Sequence, residues 1–137
     1  MSGEAPLRAR GESEKITINL GFIDLGQIDL MVADSFYANR SDFIRSAIRN
    51  QLERHADATR TAASRRRLEL GVSHYDRALL ATYAERGETI DIRVLGLATI
   101  AADVTPDLAR GTIASVAVLG AFHASPAVKA AIADRIL

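Results

Sequence analysis

The chain has 137 residues, enough for one ordinary domain or two small ones, and its 48% hydrophobic and 25% charged content is ordinary for a folded, soluble protein. It has no cysteine, which excludes a disulfide framework and a thiolate metal site and fits a reducing cytoplasm. Formal net charge is zero, with 11 Lys plus Arg against 9 Asp plus Glu in residues 1–67 and 6 against 8 in residues 68–137, so any polyanion contact is expected in the first half.

Residues 1–14 mix Gly, Pro, Ser and charges and read as a flexible arm in which Arg8 and Arg10 are auxiliary phosphate contacts or a solvated tail. No hydrophobic stretch marks a signal peptide there, and the apolar runs near Val94–Ala102 and Ile113–Ala124 are too short or too polar to span a bilayer.

From Lys15 to Leu20 polar and apolar residues alternate strictly. This predicts a strand with Ile16, Ile18 and Leu20 on one face and Lys15, Thr17 and Asn19 on the other. Asp24 followed by Gln27 has the form of a capping box, with Ile23 and Ile28 at staple positions. Leu25, Ile28, Val32 and Phe36 recur at helical spacing and predict a first helix. Asn39, with Asp42 three residues on, predicts the cap of a second helix that buries Phe43, Ile44, Ala47, Ile48 and Leu52, turns Arg45, Arg49, Asn50 and Glu53 outward, and fades past His55. Residues 56–67, rich in Ala, Thr and Arg, read as a frayed helix end and linker. Arg65, Arg66 and Arg67 either support contact with a polyanion from there or keep the linker soluble.

The second half, residues 68–137, changes style. Leu68–Val72 is strand-like, Ser73 is placed to cap a helix carrying Tyr75, Leu79, Leu80 and Tyr83, and Gly87 closes it. Ile90–Val94 alternates and turns wholly apolar through Ala98, and Thr105-Pro106 and Ser125-Pro126 are each a cap with proline at the first helical position, the second opening a helix over 127–136. Val94-Leu95-Gly96 recurs as Val118-Leu119-Gly120, 24 residues on. These strand-then-helix units, with residues 68–87 as a degenerate third, predict parallel strands joined by right-handed crossovers. So short an array has open ends, which predicts self-association.

A strand and two short helices over residues 15–55 cannot bury enough apolar surface alone, so a second copy is expected to complete the core. If two strands pair antiparallel, Ile16, Ile18, Leu20, Ile28, Val32, Phe43, Ile44, Ala47 and Ile48 form the dimer core, and the polar faces become a two-stranded ribbon. Such a ribbon fits the DNA major groove, where Lys15, Thr17 and Asn19 reach base edges. The start of the second helix, at Asn39, Arg40 and Ser41, would hold a phosphate and position the ribbon.

The segment KITINLGFIDLGQIDLMVADSFYANRSDFIRSAIRNQLERH, and YANRSDFIRSAI above all, resembles the ribbon-helix-helix domain of the CopG family of bacterial regulators. The resemblance implies a dimer on double-stranded DNA, base-reading positions at Lys15, Thr17 and Asn19, and a phosphate anchor at Arg40 and Ser41. Gly21-Phe22 departs from it, since many members carry proline and an acidic residue there.

The fold class expected is α+β: an intertwined ribbon-helix-helix over 15–55, then a small oligomerisation domain of strand-helix repeats with parallel strands over 68–137. The function expected is a sequence-specific cytoplasmic, nucleoid-associated regulator, a repressor or autorepressor. The alternatives are an antitoxin, whose tail would be short and disordered before binding its toxin, and a nucleoid or partition protein that spreads along DNA through its repeats. His55, His74 and His123 lie on separate elements without metal-ligand spacing, and Asp103, Asp107 and His123 lack a nucleophile with an adjacent base. Neither a metal, a cofactor nor catalysis is therefore expected.

Overall fold

The computed structural model describes residues 13–137. The chain divides into two compact units, one running to Thr59 and the other beginning at Arg60, a boundary inside the stretch read as the linker.

In the first unit, residues 13–21 form neither helix nor strand, so the strand expected from Lys15 to Leu20 is not formed within the single chain, and helix α1 (Phe22–Ala33) follows. Its N-cap is Gly21 in extended conformation with no side-chain cap bond, which corrects the expected Asp24 capping box. Asp24 sits in the first turn instead, where its charge complements the helix dipole without capping. The helix stops because Ser35 turns left-handed at φ 65°, and Phe36 N–H donates back to Met31 O at 3.0 Å. Phe36 thus leaves the apolar stripe and is exposed. Helix α2 (Arg40–Arg54) is capped as expected, Asn39 Oδ1 accepting from Asp42 N–H at 2.8 Å. Asp42 Oδ2 in turn accepts from Ala38 N–H at 3.0 Å, and Tyr37 meets Phe43 edge-on with ring centroids 4.9 Å apart. After His55 the chain does not fray: Ala56–Arg65 forms helix α3, since Ala and Arg favour helix even without an apolar stripe.

The second unit is a three-stranded parallel sheet in the order β1 (Glu69–Tyr75), β2 (Ile90–Ile100), β3 (Ile113–His123). The parallel strands are those the repeats predicted. Helix α4 (Arg77–Glu85) joins β1 to β2, α5 (Pro106–Thr112) joins β2 to β3, and α6 (Pro126–Ala131) follows β3, ending in a 3₁₀ turn at Ala133–Arg135. Ser73 lies within β1; Asp76 is the cap of α4, accepting from Leu79 N–H at 2.8 Å, and Tyr75 is a buried strand residue. Thr105 and Ser125 cap α5 and α6 as read, and Gly87 takes φ 66° after α4. The helix expected over 127–136 breaks at Ile132 into α6 and the 3₁₀ turn.

The core lies between one face of the sheet and the three helices. Ile92, Val94, Ala98 and Val116 from the strands meet Leu80, Ala109, Val128 and Ile132, all essentially without solvent contact. Each such Leu, Ile or Val contributes about 1.5–3 kcal/mol of transfer free energy. Buried Thr112 fits because its hydroxyl donates to Leu108 O at 2.6 Å.

The repeated triplets stack in register, Val94 on Val118, Leu95 on Leu119 and Gly96 on Gly120, and Leu70 and Gly71 continue the rows on β1. The glycine row is a backbone requirement. Gly71, Gly96 and Gly120 have φ of 136°, 140° and 121°, and a Cβ on Gly96 or Gly120 would lie 2.2 or 2.1 Å from the carbonyl oxygen of the glycine on the preceding strand.

Candidate nucleic-acid interface

The first unit has almost no core of its own. Among its described residues Ile28 is the buried hydrophobic, with Val32, Phe43 and Ile44 half-buried. Ile16 and Ile18 are 73% and 62% exposed, and Ala47, Ile48 and Leu52 face solvent as well. Side chains of this kind are seldom left uncovered together, because contiguous apolar surface marks an interaction site. Lys15, Thr17 and Asn19, which alternate with Ile16, Ile18 and Leu20, are exposed as well.

The two helices are bridged by an ion pair for which no short-range spacing in the sequence gave a sign. Arg40 Nε and Nη2 donate to Asp29 Oδ1 and Oδ2 at 2.8 and 2.9 Å, a two-pronged bridge from the first turn of α2 to the middle of α1. Hydrogen bonding and the charge of Arg40 hold the Asp29 carboxyl below the usual carboxylate range, and Asp29 raises Arg40 in return. Since the folded value is the lower one, this stabilisation is present above the ordinary aspartate pKa near 4 and is lost as pH falls through the depressed value. Acidification below about pH 4 should therefore lower the melting midpoint of the first unit, and Asp29→Asn should flatten that part of the pH profile; an unchanged profile would show that the bridge contributes nothing.

This bridge also bears on the start of α2, where a phosphate contact was expected. Two guanidinium nitrogens of Arg40 are engaged with Asp29, and the hydroxyl of Ser41 beside it at the helix start is exposed. Asp42 and Phe43 N–H groups are used by Asn39, so the relevant backbone donors are those of Arg40 and Ser41.

Arg8 and Arg10 lie outside the described residues. Arg65, Arg66 and Arg67 are exposed where α3 ends, Arg67 at φ 57°. The Arg66 carbonyl accepts from Arg93 Nε and Nη2 at 3.0 and 2.7 Å, which ties the start of β1 to β2. His74 Nδ1 lies 2.6 Å from Thr99 Oγ1, and no cluster of three metal-binding side chains exists among the described residues.

Residues 11–129 match the ribbon-helix-helix transcriptional regulator family. The chain belongs to that family. The match runs beyond the first unit and through the sheet into α6. No curated protein and no solved structure matches the chain. Among the described residues no helix is long and apolar enough to cross a membrane.

Proposed function

We propose that this ribbon-helix-helix chain is a sequence-specific DNA-binding regulator, in which two copies pair residues 15–20 antiparallel and present Lys15, Thr17 and Asn19 to the major groove. The observation that carries this is the exposure of Ile16 and Ile18 beside a helix pair with one buried hydrophobic residue. An antiparallel partner covers both isoleucines, gives the backbone of residues 15–20 a ladder, and turns the alternating polar residues to one outer face. Lysine then donates to guanine, asparagine pairs with adenine, and threonine reaches a base edge or the thymine methyl. Ser41 and the first amides of α2 grip phosphate and set the register.

Two-fold symmetry of the dimer implies a site with inverted half-sites, and occupancy at a promoter makes a repressor the simplest outcome. The ordered C-terminal sheet argues against an antitoxin tail that folds only on its toxin. The test is duplex selection from a random pool with the full chain, followed by Asn19→Ala. The expected result is an inverted repeat whose binding weakens by about 1–3 kcal/mol in the variant while binding to random duplex is unchanged. Equal loss on both duplexes would remove Asn19 from base reading.

A further inference from the structure

The second unit has two sheet edges, and they are complementary. Inside the chain each glycine of the Gly71, Gly96, Gly120 row makes room for a carbonyl: Gly71 O fits against Gly96, and Gly96 O against Gly120. Gly71 has the same unusual backbone, φ 136°, yet a Cβ there would meet nothing within 4 Å. The slot on β1 is shaped for a carbonyl that none of the described residues supplies. At the far edge, Gly120 ends the row with no further strand beyond it in the sheet.

The remaining rows agree. Continuing the register from β3 onto β1 places Val118 beside Glu69, Leu119 beside Leu70, Gly120 beside Gly71, Ala121 beside Val72 and His123 beside His74. The leucine row Leu70, Leu95, Leu119 would run on without a break, and its two end members are now 82% and 55% exposed. Leu137 N–H donates to Val116 O at 2.7 Å and Ile136 bridges to Val116, whereas β1 begins at the row of Val118. The short strand therefore fits the stretch of β3 edge that lies past the C-terminal segment.

We infer that the second unit binds a second copy of itself head to tail, the β3 edge of one chain adding to the β1 edge of the next through the glycine row. Such a contact uses different surfaces on its two sides, so it propagates or closes a ring rather than stopping at a dimer. It rests on the C-terminal unit alone; if the ribbon reading also holds, the contact lines up successive ribbons along DNA.

Because the chain has no cysteine, engineered thiols report the contact directly. Within one chain Leu70 and Leu119 are separated by β2, about 9–10 Å across two strand spacings, beyond the reach of a disulfide. Across the proposed joint they are neighbours. The full-length L70C/L119C variant, mildly oxidised, should give a ladder of covalent oligomers, and an equimolar mixture of L70C and L119C should stop at a linked pair. Adding Gly71→Ala to the double variant should abolish the ladder, since its Cβ would occupy the carbonyl's place. Circular dichroism identifies folded samples, and both cysteine sites are exposed. Monomer alone from the folded double variant would overturn the inference, as would L70C linking to itself as efficiently as it links to L119C, which would mean β1 edges meeting each other.

Discussion

Gly96→Ala should unfold the second unit or bring it close to unfolding. The added Cβ would sit 2.2 Å from Gly71 O and 3.1 Å from Gly71 C, against backbone that cannot rotate away, at a φ of 140° that a side chain resists. Strain at such a backbone position costs about 1–3 kcal/mol, and forced overpacking costs about 1–3 kcal/mol more. The sum of about 2–6 kcal/mol is a large part of the 5–15 kcal/mol typical of a domain. Gly120→Ala should do the same against Gly96 O at 2.1 Å, while Gly71→Ala in a dilute sample should show only the strain. Gly26 supplies the opposite control. It sits inside α1 with nothing within 4 Å of a Cβ, so alanine there should stabilise by about 0.5–1 kcal/mol. Urea midpoints for the four variants check this order, and a Gly96→Ala protein as stable as the parent would refute the close backbone contact.

Ile18→Asp should abolish association through the first unit. Ile18 is the middle apolar residue of the 15–20 segment, and in the proposed ribbon it enters a shared core. A buried unpaired carboxylate costs several kcal/mol, and two-fold symmetry imposes it twice. Sedimentation should show loss of the association made through the first unit, leaving only that of the second, and specific DNA binding should fall by more than a hundredfold. The matching change on the other face, Thr17→Asp, should leave the mass unchanged and weaken only DNA binding. If Ile18→Asp remained a dimer with full affinity, the apolar face of the segment would not be the interface.

What could be read from the residues was mostly local chemistry. The caps at Asn39, Thr105 and Ser125 were legible because each bonds to an amide three residues on and needs nothing from the rest of the chain. Where two cap residues competed, tertiary packing decided. Ser73 lost to Asp76 because β1 runs on until Tyr75 reaches the core. Asp24 lost to Gly21 because an acid serves equally well in a first turn. The segment 56–65 lacks large apolar residues and so resembled a linker, yet backbone propensity carried α3. The repeated Val-Leu-Gly triplets foretold stacked parallel strands, but not that the glycines are needed for one another's carbonyls. The Asp29 and Arg40 bridge spans 11 residues and depends on how two helices fold together, so spacing rules for a single helix could not find it.

The ribbon-helix-helix account stands or falls on whether residues 15–20 of two copies pair, and amide hydrogen exchange of the full-length chain measures this directly. The account predicts alternating protection across Ile16 to Leu20 at concentrations where the chain is dimeric, lost on dilution and absent in Ile18→Asp. Exchange of all these amides at the rate of an unstructured peptide, in a sample saturated on its DNA site, would contradict it.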